Sequence, residues 1–292
     1  MSKIEDALNK VKKGITQGNE LQLITGRKRT EQGGNDLTTR EPTDKHLITR
    51  TSSSKQIALM EGGQLFSNEE LDELNIIHPE SNNPKIVNRY RELRTKLMHK
   101  NNGENFVVMV TSCHPDFDTG LSTVNLASAF SFDESKTSLV IDCNLRKPSL
   151  NKVFNFDLPR GMTDYFENND VSTDAIMYNS GIKRLRVIPA GEKKESASEF
   201  FTSMKMRSLM RELLDRYSDR YVFLNTAPIT DSADTKILVD VCDYVILDVP
   251  YGRVTSNKIK EAASAIGKDK LLGVVFSNMP PVPVFKIPGL SL

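Results

Sequence analysis

From Phe106 to the C-terminus, short apolar runs alternate regularly with stretches of helical periodicity. The runs predicted as strands are Phe106–Thr111, Ser138–Ile141, Leu185–Pro189, Tyr221–Leu224, Tyr244–Val249 and Leu271–Ser277. Continuous apolar runs are typical of strands buried on both faces, and strands that alternate with helices form parallel sheets. The sequence therefore predicts an α/β domain, a parallel sheet with helices on both faces.

The segments between these runs carry apolar residues at helical spacing. The predicted helices are Val87–His99, Leu121–Phe130, Gly161–Glu167, Val171–Tyr178, Ala197–Tyr217, Ser232–Val241 and Ser256–Ile266. Ligands of such sheets bind at the carboxyl ends of the strands. The loops that follow Thr111, Ile141 and Leu224 are therefore where we expect the chemistry of this chain.

The N-terminal part differs in composition from this domain. Residues 1–14 are predicted to form a short amphipathic helix, opened by the capping-box pair Ser2 and Glu5. That helix would dock on a partner or on the chain's own body, or remain a frayed tail. Residues 15–84 are polar and are predicted to be a flexible extension with a short helix near 67–77, where Ser67 and Glu70 repeat the capping-box spacing. The α/β domain spans 85–280, and 281–292 is a proline-rich tail, either a docking peptide or an extended end.

Composition excludes several classes of protein. The 39 Lys and Arg residues nearly balance the 38 Asp and Glu residues, which argues against a nucleic-acid partner. No apolar run reaches the ~18 residues that a membrane span needs, and no signal peptide is visible. Cys113, Cys143 and Cys242 stand far apart, so buried thiols of a cytoplasmic protein are predicted. The four histidines show no metal-ligand spacing, and no metal site is expected.

The first loop lies between a predicted buried strand and a helix N-terminus, where a phosphate-binding loop would lie. It reads TSCHPDFDTGLST over residues 111–123 and is followed by NLA at 125–127. The second loop reads DCNLRKP over 142–148, and the third reads NTAP over 225–228. A further pattern, YRELRT at 90–95, belongs to the helix before the first strand.

In their order and spacing, these patterns resemble the bacterial tyrosine kinases of capsule and exopolysaccharide synthesis, relatives of the MinD/ParA deviant-Walker ATPases. The likeness covers roughly residues 84–280 and includes VIPAG at 187–191 and the closing Val274–Asn278. The opening MSKIEDALNK and the FSNEELDEL stretch resemble the subgroup associated with exosortase-type loci. The resemblance implies a P-loop NTPase-like fold. It also implies that a nucleotide pocket, or its remnant, is formed by Ser112, Pro115, Asp116, Asp118, Thr119, Gly120, Leu121, Asp142, Arg146 and Asn278.

The first loop departs from the family pattern P-G-E-G-K-[ST]. Without gaps, Thr119 stands at the phosphate-binding lysine and Gly120 at the magnesium-binding hydroxyl. A shifted register that aligns Gly120–Thr123 with G-K-S-T also lacks the lysine. Asp116 and Asp118 replace glycines and give Pro115–Gly120 a local charge of −2. Two carboxylates beside a polyphosphate would repel it, by about 1 kcal/mol each at 4 Å in bulk water and about 4 at an effective dielectric of 20.

Other family positions are changed as well. Asn144 stands at the second aspartate of the family's D-x-D-x-R loop, and Asn225 stands where the family has an aspartate that contacts magnesium or its water. Asparagine lacks the anionic charge that attracts a divalent cation. The family's subunit-contact helix reads E-x-x-R-x-x-R, whereas this chain has Asn88, Arg91 and Arg94. The last tyrosine is Tyr251, so the family's C-terminal tyrosine cluster is missing.

These changes predict a degenerate, catalytically inactive family member that needs no cofactor. It would act as a regulatory or binding subunit in exopolysaccharide or capsule biosynthesis. The partners implied by the family are the cytoplasmic part of a membrane polysaccharide copolymerase and an active kinase paralogue. One alternative is an active ATP- and Mg²⁺-dependent tyrosine autokinase, with Arg146 or Lys147 replacing the lysine and Asp231 or Asp234 the carboxylate. Another is a ParA/MinD-like positioning ATPase.

Overall fold

A computed structural model describes residues 65–101, 104–154, 158–216 and 219–279. The predicted helix at 1–14, most of the polar extension and the tail at 281–292 lie outside these described residues. The strands are β1 (Val107–Ser112), β2 (Thr137–Asp142), β3 (Tyr178–Asn179), β4 (Leu185–Ile188), β5 (Arg220–Asn225), β6 (Tyr244–Pro250) and β7 (Leu271–Ser277). They form one sheet in the order β3-β4-β2-β5-β1-β6-β7.

Every strand pair in this sheet is parallel except β3 with β4, which is antiparallel. The predicted helix Val171–Tyr178 is therefore wrong: the segment contains a 3₁₀ turn, Thr173–Ile176, followed by the edge strand β3. The spacing of Val171, Ala175 and Tyr178 at i, i+4 and i+7 does fit a helix face. Tyr178 instead pairs with Val187 along the edge of β4, so sheet pairing overrides the local helical pattern.

The described helices surround this sheet. They are α1 (Asn68–Glu73), α2 (Pro84–Lys100), α3 (Gly120–Ser131), α4 (Leu150–Phe154), α5 (Met162–Glu167), α6 (Ser198–Thr202), α7 (Met204–Asp215), α8 (Ala233–Val241) and α9 (Ser256–Ile266). The capping box predicted for the first of them is present, with Ser67 Oγ accepting from the Glu70 amide. None of these described helices is both long and apolar enough to cross a membrane.

The single long helix predicted over Ala197–Tyr217 is wrong, because the structure divides this stretch into α6 and α7. Ser203 is extended at the break, with a ψ of 158°. Its hydroxyl accepts a hydrogen bond from the Met206 amide at 3.2 Å and so caps the second helix. A serine that bonds to nearby backbone competes with the helix interior, which accounts for the break.

Strand residues alternate between two hydrophobic cores, one on each face of the sheet. Val107 and Met109 pack with the core that α5 to α9 cover, whereas Val108 and Val110 pack with the core that α1 to α4 cover. The predicted α/β sheet with helices on both faces is confirmed. The three cysteines are free and buried, as predicted, and burial raises the pKa of Cys113 to about 11.

Candidate functional site

The predicted site residues meet at the carboxyl edge of the sheet. Asp142 at the end of β2 lies in register with Asn225 at the end of β5, and Ser112 at the end of β1 lies in register with Asp248 of β6. The first loop leaves β1 and ends at α3, whose N-cap residue is Thr119. Parallel pairing therefore brings the ends of the first, second and third loops together, as the sequence predicts.

Thr119, which the ungapped family pattern aligns with the lysine, is only 1% exposed at this edge. Its Oγ1 donates a hydrogen bond to Asn225 Oδ1 at 2.7 Å. The Asn225 amide in turn donates from Nδ2 to Asp142 Oδ1 and to Ser149 Oγ, both at 3.0 Å. Each polar group of Thr119 and Asn225 thus has a protein partner, which is the condition for burying such groups at low cost.

Asp142 is the acceptor at the end of this chain of hydrogen bonds and is 1% exposed. Its Oδ2 accepts from the amides of Ser149 and Leu150 at 2.8 and 3.0 Å, where α4 begins. Its Oδ1 also accepts from the Asn144 amide at 3.1 Å. Burial raises the pKa of Asp142 to about 6, although these backbone bonds and the Asn225 amide lower it. We call Thr119, Asp142, Ser149 and Asn225 the buried polar network.

The network also fills the space beside Gly120, which the ungapped family pattern aligns with the magnesium-binding hydroxyl. A Cβ added to Gly120 would lie 2.6 Å from Ser149 Oγ and 3.1 Å from Asp118 Oδ1. The Gly120 amide, a first-turn N–H of the kind that binds phosphate, donates to Asp118 Oδ1 at 2.8 Å. The residues present do not fit a magnesium ion held by a side chain at position 120.

Four predicted site residues of the first loop stand on the surface. Pro115, Asp116 and Asp118 are exposed, and so is Leu121 at the start of α3. Lys147 Nζ lies 3.7 Å from Asp116 Oδ1, with side chains that are 75% and 77% exposed. Exposed pairs of this kind contribute little to stability, but the contact places one cation beside the loop.

The other predicted residues do not join the network. Arg146 is exposed and lies 3.9 Å from Glu195, and Asn278 is exposed at the end of β7 with a φ of 56°. Asn144 accepts from the Lys147 amide at 3.2 Å, so it shapes the second loop. Asp234, which one alternative treats as a metal ligand, accepts hydrogen bonds from the Ala197 amide and the Ser198 hydroxyl.

The arginines of the predicted subunit-contact helix have partners within the chain. Arg91 stacks over the Phe132 ring at 5.4 Å, and Arg94 donates to the Ala129 carbonyl at 2.9 Å. Asn88 is exposed. The described residues thus use both arginines to hold α2 against α3.

Two buried residues of this edge, Ser149 and Asp248, are missing from the predicted site. Ser149 stands directly after Pro148 and before α4, a position typical of a helix N-cap, and that signal could have found it. Asp248 interrupts an apolar run and is fully buried; its Oδ1 accepts from Ser277 Oγ at 2.5 Å. Its Oδ2 has no hydrogen-bond partner among the described residues. Burial raises the pKa of Asp248, and the nearby Ser122 and Ser277 hydroxyls offset part of the rise.

Asp248→Asn is expected to stabilise the protein by about 1 kcal/mol at pH 7.5, because it removes a buried charge with an unsatisfied oxygen. A carboxyl whose pKa is raised by folding contributes stability at low pH and loses it as pH rises above its unfolded value of 3.8. The gain should therefore be small near pH 4 and grow toward pH 7.5. Urea unfolding at both pH values measures it. An equal gain at both would contradict the explanation.

Together these features define an α/β domain of the P-loop NTPase type with a network of buried, hydrogen-bonded polar side chains at the carboxyl edge of its sheet. The chain is related to the bacterial tyrosine-protein kinases. Tyrosine-protein kinase YwqD of Bacillus subtilis is 29% identical over 200 residues, which cover 67% of this chain and 83% of the relative. Tyrosine-protein kinase CpsD of Streptococcus pneumoniae is 28% identical over 177 residues, 59% of this chain and 76% of the relative. No family model matches the chain.

Two solved structures share this fold. The crystal structure of the chimerical protein CapA2B2 matches 74% of this chain and 92% of its own, with a TM-score of 0.62 and 25% identity. The kinase domain of the Escherichia coli tyrosine kinase ETK matches 76% of this chain and 89% of its own, with a TM-score of 0.61. At 22% identity, the second comparison shows a shared fold.

Proposed function

We propose that this chain is a catalytically inactive relative of the bacterial tyrosine kinases that serves as a regulatory or binding subunit in exopolysaccharide or capsule biosynthesis. The buried polar network carries the proposal. Thr119 and Asn225 stand at two positions that phosphate and magnesium chemistry would use, and both side chains are bonded to the protein itself. A nucleotide would have to break these bonds before it could bind.

The electrostatics of the edge support the same conclusion. Phosphoryl transfer depends on a lysine and magnesium that neutralise charge in the transition state. Here the loop carries Asp116 and Asp118, and Asp118 already accepts a hydrogen bond from the Gly120 backbone amide. Loss of one stabilising group commonly costs ~10²–10³ in rate. We infer that the combined changes leave no useful kinase activity and no need for ATP or Mg²⁺.

The proposed partners follow from the family resemblance. An inactive domain of this fold would bind the cytoplasmic part of a membrane polysaccharide copolymerase, an active kinase paralogue, or both. It would then work in the cytoplasm, at the inner membrane through its partner. Most of the N-terminal extension and the proline-rich tail lie outside the described residues, and both are candidates for these contacts.

Incubation with radiolabelled ATP and Mg²⁺ is expected to leave the chain unlabelled, because the network excludes the phosphates. Isothermal titration with ATP and with ADP, each with and without Mg²⁺, is expected to show no Mg²⁺-dependent binding. The kinase YwqD in the same assays serves as the positive control. Phosphotyrosine on this chain would contradict the proposal.

A second candidate function, an active tyrosine autokinase with a rearranged site, is favoured by the contact between Lys147 and the first loop. Lys147 Nζ lies 3.7 Å from Asp116 Oδ1 and is free to turn toward a phosphate. If the chain incorporates label, Lys147→Ala should abolish it, whereas Lys152→Ala on the neighbouring α4 should not. Thermal stabilisation by ATP and Mg²⁺ that disappears in Asp142→Ala would support this candidate further.

A further inference from the structure

The connection between β6 and α9 places a tyrosine, Tyr251, at the corner of a β-turn. The Arg253 amide donates to the Pro250 carbonyl at 3.2 Å, and Gly252 has a φ of 72°, as the third position of a type II turn requires. The Tyr251 amide donates to the Ser277 carbonyl at 2.8 Å, which fixes the turn to the end of β7. The side chain is 37% exposed, and its hydroxyl forms no hydrogen bond with another described residue. An ordered turn thus presents this phenol to the solvent.

Tyr251 differs in this respect from the other tyrosines of the described ranges. These are buried or half-buried: Tyr90, Tyr165, Tyr178, Tyr221 and Tyr244. Burial raises the pKa of Tyr90 to about 12 and also raises the pKa of Tyr221. Transfer of a phosphoryl group to tyrosine needs a phenol that an enzyme can reach and deprotonate. Among the described tyrosines, Tyr251 meets both demands best.

The charge around Tyr251 is a second, independent observation, because it suits a phosphate. Residues 249–260 contain three basic residues and no acidic one. Arg253 and Lys258 are exposed, and neither forms an ion pair with another described residue. Asp248, the nearest acidic residue in the sequence, is fully buried. A phosphate on Tyr251, with a charge of about −1.5 to −2 at pH 7, would therefore enter a positive region.

We propose that Tyr251 is phosphorylated by an active tyrosine kinase that acts on this chain as its substrate. The inference rests on the proposed function, in which an active kinase is one of the partners. The γ-phosphorus of MgATP forms a bond to the Tyr251 oxygen as its bond to the ADP oxygen breaks. The phenol proton passes to a base of the kinase, and ADP leaves. Arg253 and Lys258 then pair with the bound phosphate.

Incubation of the full-length chain with the kinase YwqD, ATP and Mg²⁺ tests the proposal. We expect phosphotyrosine at Tyr251 to be at least about tenfold more abundant than at any other tyrosine, because buried tyrosines react only after local opening. Tyr251→Phe should remove the label, whereas Tyr178→Phe, the same change at a half-buried tyrosine, should not. Absence of label at Tyr251, or label mainly at another tyrosine, would overturn the proposal. Label on the chain without YwqD would instead contradict the proposed inactivity, so the two failures are distinguishable.

A phosphorus NMR titration of the phosphorylated chain tests the pairing with Arg253 and Lys258. Nearby cations lower the second pKa of a phosphate, which is ordinarily about 6. We expect that pKa to be higher by about 0.5 in the double variant Arg253→Ala/Lys258→Ala than in the wild type. The control, Arg207→Ala/Arg211→Ala, removes the same charge from the exposed face of α7 and should leave the pKa unchanged. Equal values in the wild type and the first double variant would overturn the pairing.

Discussion

Asn225→Asp, which introduces the carboxylate that the family resemblance implies at this position, is expected to lower the free energy of unfolding by about 3 kcal/mol at pH 7.5. In the present structure the Asn225 amide donates to Asp142 Oδ1 at 3.0 Å. An aspartate there would replace that bond by the contact of two carboxylates. Thr119 Oγ1 would keep an acceptor, and the Ser149 hydroxyl, which now accepts from the Asn225 amide, can turn to donate to the new carboxylate. The loss of stability therefore comes mainly from the contact between Asp142 and residue 225.

The pH dependence of this variant follows from the same pair. Burial already raises the pKa of Asp142 to about 6, and a second carboxylate beside it raises the pKa of the pair further. One shared proton restores a hydrogen bond between the two groups. Stability lost at pH 7.5 should therefore be largely recovered near pH 5, since raised carboxyl pKa values contribute stability at low pH that disappears as pH rises.

Urea unfolding at pH 5 and pH 7.5 measures both effects. The control is Asn83→Asp, the same chemical change at the cap of α2, where the side chain accepts from the Ile86 amide at 3.3 Å. Aspartate caps a helix as well as asparagine does, so this control should change stability by less than about 0.5 kcal/mol. If Asn225→Asp were as stable as the wild type at pH 7.5, the hydrogen-bonded network described here would be incorrect.

The sequence predicts the sheet well because each central strand is a run of apolar residues that both cores bury. The bounds of α9 and β7 agree with their predictions, and those of β1 and β5 differ by one residue at each end. One predicted helix that is wrong lies where a local polar side chain determines the backbone conformation. Ser203 breaks a continuous helical pattern by capping α7, and the spacing of the apolar residues gives no sign of this break.

The sequence predicts where the site lies but not how its side chains are hydrogen-bonded. Strand order brings Asp142 and Asn225 together, and the family pattern identifies Thr119 and Gly120 as changed. That Thr119 turns inward to bond Asn225 depends on tertiary packing that a single sequence does not record. Ser149 illustrates the difference, because its backbone role as the start of α4 is visible in sequence, whereas the insertion of its hydroxyl beside Gly120 is not.

Gly120→Ala is expected to lower the free energy of unfolding by about 2 kcal/mol, because the added methyl would lie 2.6 Å from Ser149 Oγ. Ser149→Ala alone should cost about 1 kcal/mol, since it removes one acceptor of the Asn225 amide. In the double variant Ser149 Oγ is absent, so the closest contact of the added methyl is removed. Contacts of 3.1 and 3.3 Å to Asp118 Oδ1 and Val153 Cγ2 remain, so the relief is partial.

A double-mutant cycle by urea unfolding separates the clash from the general cost of each change. We expect a favourable coupling of about 1 kcal/mol between Gly120→Ala and Ser149→Ala. Ser131→Ala provides the matched control, because Ser131 is a buried serine at the other end of α3 whose hydroxyl donates to the Ser128 carbonyl. Gly120→Ala and Ser131→Ala should be additive within about 0.5 kcal/mol. If Gly120→Ala and Ser149→Ala were additive, Ser149 would not occupy the space beside residue 120. A side chain that could bind magnesium would then fit at position 120.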